Sequence, residues 1–203
     1  MKVPCYSKID FTQRKEGYKV RVIAGKYKGH RIQAVPNKLT RPTTDKVKES
    51  LFQIIGPFFS GGICLDLFAG SGSLAIEALS RGMDQAILVD KQPKAISTIK
   101  SNVNQLGLSE HVEIYRNDAQ RALKAIKKRE LKLDIIFLDP PYYKTSYEKL
   151  LEMIDAYDLL AQKGLIVCEH DAAYQLEVEL DNYQLFKKDK LGNTTGITIY
   201  QKG

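Results

Sequence analysis

The stretch Ile63-Cys64-Leu65-Asp66-Leu67-Phe68-Ala69-Gly70-Ser71-Gly72 opens apolar and closes on small residues. Its apolar half predicts a buried strand. The glycines after it predict a sharp turn where a ligand can approach the backbone without meeting a Cβ. Ser73 to Arg81 continues as a short helix, with Gly82 placed to stop it. Strand, glycine turn and helix in this order make the first unit of an α/β sheet that binds ligands at the carboxyl ends of its strands.

Outward from this unit the alternation repeats. Gln85 to Val89 predicts a strand ending on Asp90, and Pro93 to Leu106 a helix with proline in its first turn and Gly107 past its end. Val112 to Tyr115 is a further strand, and Asp118 opens a basic helix from Ala119 to Lys128. Leu133 to Leu138 is almost wholly apolar, as a central strand is. Tyr147 to Ala156 predicts a helix and Leu165 to Cys168 a fifth strand. Gln184 to Lys188 and Gly196 to Gln201 predict a closing antiparallel pair around Gly192-Asn193, since no crossover helix fits between them. The expected class is therefore α/β, a doubly wound Rossmann-like sheet.

The chain before Gly61 differs in kind. Lys19 to Ala24 and His30 to Val35 read as short β segments around Gly25-Lys26-Tyr27-Lys28-Gly29. Asp45 to Ile55 predicts an amphipathic helix with Val47, Leu51, Ile54 and Ile55 on one face. Three parts are expected: a mobile leader over 1–18, a basic β-hairpin appendage with its linking helix over 19–57, and the α/β domain over 58–203. Residues 1–50 hold thirteen Lys or Arg against four Asp or Glu, while the other 153 hold eighteen against twenty. The net charge of +7 thus comes wholly from the N-terminal quarter, as in a lobe that grips a polyanion, or in a solubilising tail.

Bulk features exclude several classes. No apolar run is long enough to span a bilayer, and residues 1–19 are too polar for a signal peptide. Cys5, Cys64 and Cys168 are too few and scattered for a disulfide framework or a zinc site, and His30, His111 and His170 lack metal spacing. A reducing cytoplasm, no bound metal and a monomer are the expectations.

The glycine loop alone is ambiguous. Gly70, Gly72 and Ala75 also fit the G-x-G-x-x-A dinucleotide pattern, and Asp90 lies twenty residues past Gly70, where a ribose-binding acid belongs. A nicotinamide or flavin enzyme competes on this motif. Asp66 argues for a methyl donor instead: a carboxylate four residues before Gly70 repels a pyrophosphate and attracts the ammonium of a methionine moiety. Asp90 can accept from both ribose hydroxyls, and Asp118 from an adenine amino group, although Asp118 suits capping of the helix at Ala119 equally well. Acids at successive strand ends suit a cationic nucleoside lying across them.

Asp139-Pro140-Pro141-Tyr142, after the central strand, is the most specific signal in the chain. Two prolines fix the backbone at the strand exit and leave carbonyls free of sheet pairing. An acidic side chain and a rigid carbonyl can then both accept from one planar amino group, and an aromatic ring can stack on the base that carries it. An exocyclic amine is a poor nucleophile, so acceptors around its protons and fixed alignment to a sulfonium methyl would supply the catalysis.

The order Asp66, Gly70-x-Gly72, Asp90, Asp118, Asp139-Pro140-Pro141-Tyr142 resembles the amino-methyltransferases with a (D/N)PP(Y/F) motif. Val22-Ile23-Ala24-Gly25-x-x-Lys28-Gly29, Arg41-Pro42-Thr43 running into Lys48-Glu49, and Leu65 to Gly72 resemble more closely the RsmD-type family, from about Val20 to the C-terminus. That resemblance implies a seven-stranded fold with the last strand antiparallel. It also implies methyl transfer from S-adenosylmethionine to the N2 amine of a guanine in small-subunit (16S) ribosomal RNA. By motif, Asp66, Phe68, Ala69, Gly70 and Gly72 would hold the methionine end of the cofactor, Asp90 its ribose and Asp118 its adenine. Arg41 and Thr43 would bring the linking segment against the cofactor, with helix capping the plainer role for Thr43 and Thr44. Asp139, Pro140 and Tyr142 would act on the target amine, while Pro141 and the basic Lys26, Lys28 and Arg31 would contact RNA, free or in a partly assembled small subunit. Two alternatives share the chemistry: adenine N6 in DNA and a protein glutamine amide. Asp at 139 favours guanine, whose N1–H and N2–H2 are all donors. A nucleotide-binding scaffold without turnover is the alternative of another class.

Overall fold

Seven strands form one mixed sheet in the order β5-β4-β3-β6-β7-β9-β8: β3 (Ile63–Asp66), β4 (Gln85–Asp90), β5 (Val112–Arg116), β6 (Leu133–Leu138), β7 (Leu160–Asp171), β8 (Tyr183–Leu191) and β9 (Thr195–Lys202). The first five run parallel, and β9 is antiparallel to both β7 and β8. The structure is a computed structural model that describes residues 20–35, 44–140, 146–192 and 194–203. The leader over 1–18, Arg41, Thr43, Pro141 and Tyr142 lie outside those residues. No helix among the described residues is long and apolar enough to cross a membrane.

Alternation along the parallel strands divides the core in two. Cys64, Ala86, Leu88, Ile135, Phe137 and Val167 face one way, under α1 (Asp45–Ile55), α2 (Ser73–Ser80) and α3 (Pro93–Gln105). Leu65, Ile87, Val89, Ile136, Leu138 and Ile166 face the other way, under α4 (Ala119–Lys128) and α5 (Tyr147–Ala156). The sheet is doubly wound, as expected. From β3 the chain moves to one side through β4 and β5, then returns to β6 on the other side. The crevice between the carboxyl ends of β3 and β6 is thus the switch point at which such sheets bind ligands.

The fifth strand is longer than its apolar run implied. β7 begins at Leu160, which pairs with Leu133, and the ladder resumes at Ile135 with Leu165 after a bulge. Ala161 to Gly164 forms that excursion, with Lys163 at φ 61°, so its polar residues hide a strand start. In α1 the buried residues are Lys48, Leu51, Phe52 and Ile55, and Val47 is only half-buried. Thr44 caps this helix by accepting from the Val47 amide.

The N-terminal hairpin is tighter than its sequence pattern. Its ladder is β1 (Val20–Arg21) against β2 (Arg31–Ile32), and Val20, Val22 and Ile32 join the core beside α1 and α2. Gly25 at φ 81° sits where a Cβ would lie 1.7 Å from the Ser80 carbonyl oxygen, so only glycine allows this approach. The Lys26 amide donates to that same oxygen, and Ser80 Oγ donates to the Ala24 carbonyl while accepting from the Tyr27 amide.

Charge deepens this seat. Glu77 of α2, fully buried, accepts at Oε1 from the Ala24 amide (3.0 Å) and Arg81 Nε (2.8 Å). At Oε2 it accepts from the Ile23 amide (2.8 Å) and faces Lys48 Nζ at 3.3 Å. Lys48, also fully buried, donates to the Arg21 carbonyl (2.6 Å) and to Ser73 Oγ (3.1 Å). Burial lowers its pKa and Glu77 opposes that shift. Arg81 adds a bond to the Pro57 carbonyl and lies 4.7 Å over the Phe52 ring.

Candidate active site

Because β3, β4 and β6 are parallel and in register, their terminal acids meet at one edge of the sheet. Asp66 ends β3 and Asp90 ends β4, while Asp139 follows the last residue of β6. Asp66 is buried, and its Oδ1 accepts from the Phe68 amide at 3.4 Å. Burial, with Asp139 and Asp90 nearby, pushes the Asp66 carboxyl up to about 8. Asp139 retains some exposed surface, yet it lies deep enough that burial raises its carboxyl to about 7. Neither carboxylate has an ion-pair partner among the described residues. Two acids confined together without a cation favour a ligand that brings positive charge.

The loop between them is held from both neighbouring strands. The Leu67 amide donates to the Phe137 carbonyl of β6 and the Ala69 amide to the Val89 carbonyl of β4. The Gly70 amide donates to Asp90 Oδ2 at 3.0 Å, and Asp90 Oδ1 accepts from the Gln92 amide at 2.8 Å. Gly72 stands at φ 80°, where a Cβ would meet Leu88 Cδ2 at 2.9 Å, so α2 can start close against the sheet only with glycine there. Phe68 is half-buried against the α4–α5 side of the core, and Ala69 is buried.

Other expected residues are dispersed. Asp118 is exposed at the start of α4, where Oδ1 accepts from the Gln120 and Arg121 amides, so it caps that helix. Lys26, Lys28 and Arg31 are exposed on the hairpin, with Lys26 Nζ 5.4 Å from the Tyr27 ring centroid. Pro140 is buried behind Asp139. His170 is buried, with Nε2 2.9 Å from Thr198 Oγ1 and Nδ1 2.9 Å from the Asp171 carbonyl, and thus packs the end of β7.

Sequence reasoning missed two supports of the loop. Asn102 of α3 is fully buried, donates to the Ser71 carbonyl (2.9 Å) and the Gln33 carbonyl (3.0 Å), and accepts from the Gln33 amide (2.7 Å). Lys48 bonds Ser73 and the Arg21 carbonyl together. Each ties the hairpin to the glycine loop or to the helix that follows it. In sequence they read as ordinary helix-surface polar residues; the one available signal is the interruption by Lys48 of an otherwise apolar face of α1.

Known proteins resemble this chain along most of its length. The family described as "Conserved hypothetical protein 95" matches residues 20–201. The Bacillus subtilis protein YlbH is 51% identical over 183 residues, 90% of this chain and 99% of its own. The "Ribosomal RNA small subunit methyltransferase D" of Buchnera aphidicola is 34% identical across 90% of this chain and 93% of its own. Among solved structures, yhhF from Escherichia coli superposes with a TM-score of 0.77 at 27% identity, covering 91% of this chain and 98% of that one. With a match that takes in the hairpin, the glycine loop and the Asp139 motif alike, the chain belongs to this family, the RsmD-type S-adenosylmethionine-dependent methyltransferases.

Proposed function

We propose that this chain methylates the N2 amine of a guanine in small-subunit ribosomal RNA, working in the cytoplasm. The observation that carries the reading is the pair of desolvated carboxylates, Asp66 fully and Asp139 largely out of water, at the ends of the two strands that flank the switch point. S-adenosylmethionine, when bound, supplies an electrophilic methyl on a sulfonium, and its ammonium adds a second positive charge. Two acids with no cation partner among the described residues fit such a group. Asp66 would hold the ammonium, with the backbone of Phe68, Ala69, Gly70 and Gly72 closing around the methionine end. Asp90 would accept from the ribose hydroxyls and Asp118 from the adenine amine, with Arg41 and Thr43 of the linking segment against the cofactor.

On the acceptor side, Asp139 and the Pro140 carbonyl would take hydrogen bonds from the guanine amine, aligning its nitrogen with the methyl. Positive charge grows on that nitrogen as the new bond forms, and a carboxylate beside it stabilises the change. Burial that raises the Asp139 pKa to about 7 makes its ionised form a stronger base for the proton the amine then loses. Tyr142 would stack on the base beside Pro141, and Lys26, Lys28 and Arg31 would hold phosphates. The relative named for the small ribosomal subunit supports RNA as the substrate.

The test is methyl transfer in vitro to small-subunit ribosomal RNA, both free and in partly assembled particles, followed by nucleoside mass analysis. N2-methylguanosine is the expected product. N6-methyladenosine, or no RNA product beside a methylated protein, would contradict the reading.

A further inference from the structure

A recess of about 630 Å³ opens at the same sheet edge, beyond β7 and between residues 172–177 and the ends of β8 and β9. His170, Tyr174, Glu177, Lys188, Lys190 and Thr198 line it. Its volume suits a nucleoside-sized ligand. Leu138 pairs with Cys168, so the strand that forms its inner wall is the immediate neighbour of the strand leading to Asp139. Gly196 pairs with both His170 and Lys190, which carries the recess outward across β9 to β8. The recess thus borders the strand next to the one that leads to Asp139 and extends away from it across the sheet.

The recess presents one exposed aromatic ring. Of the exposed large apolar side chains Phe58, Tyr115, Tyr174, Leu185 and Phe186, Tyr174 is the one that lines this recess. Its ring centroid lies 5.8 Å from both Tyr147 and His170, and its hydroxyl donates to Glu148 Oε1 at 2.6 Å. The backbone there is turned by the Tyr174 amide bonding the Asp171 carbonyl. A ring braced on three sides and still 40% exposed can stack on a ligand with little further loss of freedom. At the rim, Lys188 meets Glu177 at 3.0 Å in an exposed pair, a contact weak enough to open for another anion. Lys190 is exposed and has no ion-pair partner among the described residues.

We propose that this recess is a second nucleoside subsite, taking a base next to the methylated one on the face of Tyr174 and its phosphate on Lys190. The inference rests on the reading of RNA as substrate. A stacking face with lysines at its rim is how single-stranded nucleic acid is held without strict base choice. Such a subsite would also keep the strand splayed, so that the neighbouring guanine can reach Asp139 unpaired.

The experiment measures two quantities on the same full-length proteins with S-adenosylhomocysteine or S-adenosylmethionine present. One is affinity for a labelled single-stranded oligoribonucleotide of about ten nucleotides, read by anisotropy over a salt series. The other is steady-state methyl transfer to small-subunit ribosomal RNA. Tyr174→Ala should weaken binding by about tenfold and raise KM similarly with kcat little changed, whereas Tyr174→Phe, which keeps the ring and loses the Glu148 tether, should stay within about twofold. Lys190→Ala should lower the salt slope by about one. Cofactor affinity should hold in all three, and because Lys190 is a surface side chain, its variant keeps the test open even where Tyr174→Ala unfolds. Wild-type affinity in both Tyr174→Ala and Lys190→Ala, or a loss in Tyr174→Phe equal to that in Tyr174→Ala, overturns the subsite. Failure of wild-type protein to make N2-methylguanosine would instead remove the proposed function, and the binding ratios would still decide the recess.

Discussion

The Lys48–Glu77–Arg81 cluster and the Asp66–Asp139 pair are both buried charge, built on opposite terms. Glu77 has two cations and two backbone amides on its oxygens, and each cation has further acceptors of its own. The cluster is balanced, and its role is to seat the hairpin on α2. Asp66 and Asp139, at the ends of the strands that flank the switch point, have raised carboxyl pKa values and no cation partner among the described residues. A fold gains nothing from such a pair by itself, because desolvation opposes the charged form and each acid opposes the other's ionisation. A balanced buried cluster marks architecture here, and the unbalanced one is where we propose that a ligand completes the charge.

Removing a member of each cluster should therefore have opposite consequences. Glu77→Ala leaves Lys48 and Arg81 without their carboxylate and two hairpin amides without an acceptor. Unfolding free energy should fall by about 3–5 kcal/mol, the usual result of breaking a buried ion pair on one side. Urea denaturation measures it, and a loss under about 1 kcal/mol, typical of an exposed pair, would erase the distinction.

Asp66→Asn should leave stability at pH 8 unchanged or raised, since it deletes a charge that burial disfavours. Cofactor affinity should nevertheless drop by about a hundredfold, the loss of one charge-assisted contact. Calorimetric titration with S-adenosylhomocysteine reads the second effect and urea the first. A variant that binds normally but folds poorly would make Asp66 structural.

The smallest expected effect is on pH dependence, and its sign follows from the raised carboxyls. Between the ordinary carboxylate range and about 8, the folded protein holds protons at Asp66 that the unfolded chain has lost. The stability contributed by this group is therefore full at acid pH and declines as pH rises through that window. A cationic ligand requires the ionised form, so affinity should move the other way, tightening on the order of tenfold from pH 6.5 to 8. Asp66→Asn should flatten the affinity profile. A profile that stays as steep in the variant would assign the titration to another group.

Legibility in the sequence followed the same divide. The glycine loop and the Asp139-Pro140 exit could be read because those residue types impose geometry by themselves, and the doubly wound class followed from strand–helix alternation, while the strand order came only from the structure. The balanced cluster could not, because the amides that satisfy Glu77 lie 54 and 53 residues away and carry no side-chain signature. Asn102 was silent for the same reason, its partners being backbone atoms of Gln33 and Ser71. The start of β7 was hidden by its polar bulge, and the recess beside it forms only where the last three strands come together in space. Asp118 was legible in two compatible roles, and its amide contacts show the capping one.

In the function proposed above, chemistry at the unbalanced pair divides between a residue that holds the methyl donor and one that acts on the amine. Steady-state methyl transfer to small-subunit ribosomal RNA by Asp139→Ala, with S-adenosylhomocysteine affinity measured on the same protein, tests it most directly. Loss of this acceptor should lower kcat by about a hundredfold or more, with KM less affected and cofactor affinity within a few-fold of the wild type. Near-normal turnover in Asp139→Ala, or a fall in cofactor affinity as large as the fall in rate, would contradict that division.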